Sequence, residues 1–260
     1  MYPVVATVEL FGRVHIIGSY GVLLAVALVT FGGLLVALAR RRGLDPGLVV
    51  AVVAIGVPFA GLGAHALSAA VAWARGVDPL QAALRPTLTF YGGAAGLVLA
   101  LVFGARATGM PAAQLVDAAI VPGALAHAIG RVGCLLGGCC YGAVHHGPLS
   151  VTYRHPLAPA EAGLPRHPVQ LYEAVVLIAL AVLFQRWSQR QRTSAGPWLR
   201  FRCYVGAYAL ARVGLESLRG DADRGLWWAG GISTSQLISL SLVALVVGIR
   251  TRQGITPTGD

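Results

Sequence analysis

The chain has 260 residues, of which 56% are hydrophobic and only 12% charged, with a formal net charge of +10. A soluble domain carries about 25% charged residues, so the composition excludes separate soluble domains. It points to one all-α, polytopic integral membrane domain over residues 1–260. Every cation is an arginine, and the positive balance suits anionic lipid headgroups while giving no ground for a nucleic-acid partner.

In chain order, Met1 to Ile17 read as a short amphipathic lead-in with Glu9, Arg13 and His15 among apolar residues. No cleavable signal peptide is expected, because the N-terminus is uncharged and the first apolar run is long enough to stay as an anchor. Spans are expected at about 18–39, 48–74, 88–103, 115–136, 169–184, 203–218 and 236–249, seven in all. The arginine clusters at Arg40–Arg42 and between Arg186 and Arg202, which include Arg192, fall on one side of that arrangement. The positive-inside rule makes this side cytoplasmic, with the N-terminus outside and the C-terminus inside. The loop 141–167, which holds His145, His146 and His155, then faces outward as a lid or surface loop.

The fourth span closes on Gly130-Arg131-Val132-Gly133-Cys134-Leu135-Leu136-Gly137-Gly138-Cys139-Cys140-Tyr141-Gly142. An arginine near the centre of a membrane helix costs about 2.5–3.5 kcal/mol on insertion scales. Glycine weakens a helix but lets a backbone or ligand come close. Arg131 beside a glycine-rich bend therefore suggests an anion site, or else an arginine paired to a structural carboxylate or to helix carbonyls.

Span six carries Tyr208, Arg212 and Glu216 at four-residue spacing, then Arg219, which puts them near one helix face. Either Glu216 neutralises Arg212 or Arg219 in a self-satisfied ladder, or the arginines serve a ligand. Arg131 and Arg212 both lie within about 10 Å of the outer surface at 1.5 Å per residue, and paired guanidinium forks suit a phosphate. Span five opens His167-Pro168-Val169-Gln170-Leu171-Tyr172-Glu173, with proline in the first turn as an ordinary start signal. Gln170 and Glu173 can share a face there. His167 is either a base or an interfacial residue. Cys134, Cys139 and Cys140 lack the paired spacing of zinc sites, and cysteine packs as a small apolar residue, so no metal is expected.

Together these motifs resemble the prolipoprotein diacylglyceryl transferase family, from about Gly18 to Ile249. The likeness rests on the Gly130–Gly142 stretch, on His167-Pro168-x-Gln170-Leu171-Tyr172-Glu173, and on Tyr208-x-x-x-Arg212-x-x-x-Glu216-x-x-Arg219. Ser19-Tyr20-Gly21, Tyr91-Gly92-Gly93 and Thr234-Ser235-Gln236 fall where the family has related elements.

The resemblance implies a bacterial inner-membrane enzyme facing the outer leaflet. It would move a diacylglyceryl group from phosphatidylglycerol to the lipobox cysteine of a preprolipoprotein, acting as a monomer without a cofactor. Arg131, Arg212, Tyr91 and Glu216 are then the expected catalytic residues. Tyr20, Gly92, Gly93, Gly133, Cys134, Gly142, His167, Gln170, Glu173, Tyr208 and Arg219 are expected to bind substrate.

Two features depart from the family. Tyr91 stands where many members have a histidine, and Cys134 and Cys139 stand where many have asparagine and glutamate. The Gly-Cys-Cys-Tyr-Gly form resembles a branch of the family, and Glu216, His167 and Glu173 are candidates to replace the missing carboxylate. A transferase with another acceptor and a lipid or anion transporter are the competing readings. The second of these would need paired broken helices, which the sequence does not display.

Overall fold

The computed structural model describes residues 2–10, 13–84, 89–190, 196–221, 224–227 and 231–253. Met1, Leu88 and Arg192, named above in the lead-in, a span start and an arginine cluster, lie outside them. Two strands, β1 (Val4–Leu10) and β2 (Arg13–Gly18), precede helices α1 (Ser19–Arg41), α2 (Pro46–Ala74), α3 (Pro79–Leu84), α4 (Phe90–Ala107) and α5 (Ala112–Gly137). Strands β3 (Val151–Thr152) and β4 (Pro165–Arg166) follow, then α6 (Val169–Arg190), α7 (Leu199–Glu216), β5 (Leu226–Trp227), β6 (Ile232–Ser233) and α8 (Thr234–Gln253).

The seven expected spans all form helices among the described residues, with ends displaced by a few positions. Five of them (α1, α2, α4, α5 and α6) are long and apolar enough to cross a membrane. The apolar part of α8 is shorter, Thr234–Gly248. Helix α7 carries Arg200, Arg202, Arg212 and Glu216 along its length, which lowers its hydropathy.

The chain is mostly helical, as expected, but among the described residues three two-stranded antiparallel sheets accompany the helices. The lead-in is the largest, pairing Thr7 with Ile16 and Val8 with His15. Its β-branched residues Val4, Val5, Thr7, Val8, Val14, Ile16 and Ile17 prefer the pleated backbone. The loop 141–167 has structure of its own as well. Val151 pairs with Arg166 and Thr152 with Pro165, and Tyr153 is wholly buried.

The chain divides into two compact units. The first comprises Met1–Phe31, Val121–Arg192 and Arg202–Asp260; the second comprises Gly32–Ile120 and Thr193–Phe201. In the second, Asp45 caps α2 by accepting from the Leu48 amide at 2.9 Å, with Pro46 in the first turn. Glycines set the approach of α2 to α4. A Cβ on Gly92 would sit 2.2 Å from the Gly63 carbonyl oxygen, and one on Gly96 would sit 2.3 Å from that of Phe59. Small residues four apart let two helix backbones meet in this way. In the same unit Asp117 lies 3.6 Å from Arg200.

In the first unit, α5 runs through Gly130, Gly133 and Gly137 without stopping, so the expected bend comes only at its end. There Gly138 adopts φ +78° and the Cys139 amide donates back to the Cys134 carbonyl at 3.1 Å, while the Gly138 amide donates to Leu135. This pair of bonds is a Schellman cap, which glycine at the left-handed position makes inexpensive.

Candidate active site

Glu173 is the centre of the first unit. It sits one turn into α6 and is 1% exposed. Its Oε2 lies 3.0 Å from Arg131 Nε on α5 and 3.5 Å from Arg212 Nη1 on α7. Its Oε1 accepts from the Tyr208 hydroxyl at 2.7 Å and stands 3.6 Å from His127 Nε2. Arg131 also donates to His127 Nε2 at 3.2 Å, one turn back along α5. Three helices therefore converge on one carboxylate.

The cluster extends past the end of α7. Arg212 Nη2 lies 2.5 Å from Glu216 Oε2, and Arg219 Nη1 lies 3.7 Å from the same oxygen. Glu216 is 1% exposed, and its Oε1 has no hydrogen-bond partner among the described residues. Arg219 forks onto Asp221, with Nε to Oδ1 at 2.8 Å and Nη2 on Oδ2. Burial lowers the affinity of the Arg219 guanidinium for its proton, but the hydrogen bond and charge of Asp221 outweigh this and hold it well above the ordinary arginine range. Arg224 donates to the carbonyls of Asp221 and Glu216 at 3.0 and 3.4 Å. Four guanidinium groups thus stand with three carboxylates, an excess of one positive charge that favours an anion.

The stretch from Gly138 to Val144 is threaded past these groups by backbone bonds. The Ala143 amide donates to the Leu218 carbonyl at 2.8 Å, Gly220 to Tyr141 at 3.1 Å, and Gly142 to His167 at 3.2 Å. Gly142 is required by this closeness, since a Cβ there would sit 2.4 Å from the His167 carbonyl oxygen. Arg166 lies 4.5 Å over the Tyr141 ring and donates to the Gly142 carbonyl at 3.4 Å. Gln170 Nε2 donates to the Cys139 carbonyl at 2.7 Å and to the Tyr153 hydroxyl at 3.0 Å. Burial pushes the Tyr153 phenol up to about 12, against the opposing pull of the Gln170 bond, so it stays neutral at physiological pH.

Of the residues expected from sequence, Arg131, Arg212, Glu216, Glu173, Tyr208 and Arg219 meet in this cluster, and Cys134, Gly142 and Gln170 border it. His167 stacks on His145 with ring centroids 3.7 Å apart. Tyr20 is 41% exposed. It lies against Gly133, where a Cβ would meet its ring at 3.4 Å. Tyr91, Gly92 and Gly93 belong to the second unit, on the first turn of α4. Gly92 is committed there to the contact with Gly63, whereas a Cβ on Gly93 would meet Ala60 and Ala64 at ordinary distances of 3.4 and 3.5 Å.

Sequence reasoning missed His127, Tyr153, Asp221 and Arg224. His127 had a legible signal, as it stands four residues before Arg131 on the same helix face. It also read the cysteines as badly spaced for joint action. The turn at Gly138 and the left-handed Cys140, φ +55°, bring the three sulfurs of Cys134, Cys139 and Cys140 within 4.8 Å of one another.

A polytopic membrane protein whose helices bury arginines and carboxylates around one point has the features of a membrane enzyme or carrier acting on an anion. The comparisons decide between these. The family model for prolipoprotein diacylglyceryl transferase matches residues 7–251, and the chain belongs to that family. It is 30% identical over 244 residues to a phosphatidylglycerol–prolipoprotein diacylglyceryl transferase of Clostridium tetani, covering 93% of each chain. A protein of the same name from Dehalococcoides mccartyi is 30% identical over 233 residues, 88% of this chain and 86% of its own. The second such transferase of Clostridium perfringens is 36% identical over 146 residues, 54% of each.

Proposed function

We propose that the protein transfers a diacylglyceryl group from phosphatidylglycerol to the lipobox cysteine thiol of preprolipoproteins in the bacterial cytoplasmic membrane. The observation that carries this reading is the convergence of Arg131 and Arg212 on Glu173 within a chain matched over nearly its whole length by the family. The substrate sulfur attacks the glycerol carbon that bears the phosphate. A carbon–sulfur bond forms, the carbon–oxygen bond breaks, and glycerol 1-phosphate leaves with the bonding electrons.

Charge grows on the departing phosphate, so donors fixed before the reaction stabilise the transition state more than the ground state. Arg131 and Arg212 hold that phosphate, and Tyr208 keeps Glu173 oriented between them. Glu216 Oε1, buried with no hydrogen-bond partner among the described residues, receives the thiol proton. Arg219, Gly133, Gly142, Cys134, His167 and Gln170 shape the surrounding pocket. Tyr20, Tyr91 and Gly93 contact the lipid, while Gly92 is given over to the contact with Gly63. The transfer itself consumes no redox or nucleotide cofactor, and the enzyme acts as a monomer.

The chain crosses the membrane seven times with its N-terminus outside, its C-terminus in the cytoplasm and its site toward the outer leaflet. The Arg40–Arg42 cluster supports that orientation. The Gly-Cys-Cys-Tyr-Gly form supports a place in a branch of the family that carries the same form.

Arg131→Ala and Arg212→Ala test the reading. Each is expected to lower transfer by at least about a hundredfold, the scale of one lost transition-state donor, in protein that still inserts and purifies. Wild-type rates in either variant would remove the phosphate role.

A further inference from the structure

Resting on that reading, we propose that Cys134, Cys139 and Cys140 form a three-thiolate site for a zinc ion whose fourth ligand is the acceptor thiol. Their sulfurs lie within 4.8 Å of one another. A tetrahedral zinc with bonds of about 2.3 Å sets its sulfurs about 3.8 Å apart, so the cluster closes around an ion by contracting about one ångström. The set is built by the fold. The Schellman cap returns Cys139 onto Cys134, and Cys140 is held in the left-handed region, which a non-glycine residue adopts only under the constraint of its surroundings. Gln170 clamps the Cys139 carbonyl at 2.7 Å.

The position of the cluster suits the reaction. Cys134 follows Arg131 by three residues on α5, and Gln170 precedes Glu173 by three on α6. The Cys134 backbone therefore stands one helical turn, a rise of about 4.5 Å, beyond that of Arg131, and Gln170 ties Cys139 to the same turn of α6 that carries Glu173. Three protein ligands with one position left for substrate is the pattern of catalytic zinc, whereas structural sites are closed by four.

An ion at this place would also ease the proton transfer to Glu216. A thiol has a pKa near 8.5 and a carboxylate one near 4.3, so unaided proton transfer to a carboxylate is disfavoured by about 10⁴. A thiol bound to zinc is deprotonated outright. With zinc bound, the proton would pass to the carboxylate of Glu216 and the thiolate would stay on the metal. Its sulfur would then attack the glycerol carbon as the carbon–oxygen bond breaks, glycerol 1-phosphate leaving with the bonding electrons and the thioether leaving the site.

The test uses the full-length protein purified in detergent from zinc-supplemented cells. Metal content is expected at about one zinc per chain, lost in Cys140→Ser and in Cys139→Ser and kept in Cys203→Ser. Cobalt reconstitution is expected to give a thiolate charge-transfer band that shifts with a lipobox peptide and ignores its cysteine-to-serine counterpart. At pH 7, Cys140→Ser is expected to lose about thirtyfold in transfer, the inverse of the few per cent of free thiol that is ionised.

A zinc content indistinguishable between wild type and Cys140→Ser, or a disulfide among the three cysteines in active protein, would overturn the site. A cobalt band insensitive to the thiol peptide would overturn the acceptor's place on the metal. Transfer by metal-free protein leaves the transferase reading standing without the zinc, whereas a peptide-responsive metal site in protein that transfers nothing leaves the site standing without the transferase.

Discussion

At the scale of single residues, Glu173 explains more of the site than the arginines it holds. Removing one partner of a buried ion pair costs about 3–5 kcal/mol, because the other charge is left uncompensated. Glu173→Gln leaves Arg131 in that position while Arg212 keeps Glu216, and the expected result is a loss of thermal stability of that size in detergent. Tyr208→Phe removes one hydrogen bond to the same carboxylate and is expected to cost about 1–2 kcal/mol. Equal unfolding midpoints for Glu173→Gln and wild type would mean that the carboxylate is not what balances the arginines.

The sequence offered the two arginines as intramembrane charges and the Glu216 ladder as one of two readings, since four-residue spacing on one helix brings those side chains within reach. Neither spacing nor composition could show that Glu173, 39 residues before Arg212 in the chain, lies 3.5 Å from it. That contact depends on how α6 packs beside α7. The same limit hid the thiol cluster, because a glycine in the left-handed region turns a poor linear spacing into a close spatial one.

At the scale of elements, the glycines of α4 divide into two kinds. Gly92 and Gly96 are each occupied by the backbone of α2, so Gly92→Ala is expected to force the helices apart and lower stability by several kcal/mol, on the scale of about 1–3 kcal/mol for ordinary overpacking and more where backbone is met. Gly93→Ala meets only ordinary contacts and is expected to leave the unfolding midpoint within about 0.5 kcal/mol of wild type. A folded Gly93→Ala protein with impaired transfer would place lipid against that face of α4, and full activity would remove Gly93 from the binding set. Such helix contacts leave a trace in sequence as small residues four apart. The hairpin of β1 and β2 left one too, in its run of β-branched residues, which the reading as an amphipathic lead-in passed over in favour of its mixed polarity.

At the scale of the whole molecule, hydropathy located seven helices, because an apolar run must satisfy its own backbone in lipid. It was least direct at α7, where buried charges serving the site replace apolar residues and lower the signal. Orientation rests on the arginine clusters. A reporter active only in the cytoplasm, fused after Arg42, is expected to be active, and one inserted in the loop near Gly147 is expected to be silent. The reverse pattern would invert the arrangement and put the site on the inner face.

The transfer reaction shows itself most plainly as a change in mass. The purified protein in detergent is incubated with phosphatidylglycerol and a lipobox peptide, alongside a peptide with serine in place of the cysteine. The cysteine peptide is expected to gain one diacylglyceryl group with release of glycerol phosphate, and the serine peptide is expected to stay unchanged. An unmodified cysteine peptide from folded protein supplied with phosphatidylglycerol would contradict the transferase reading.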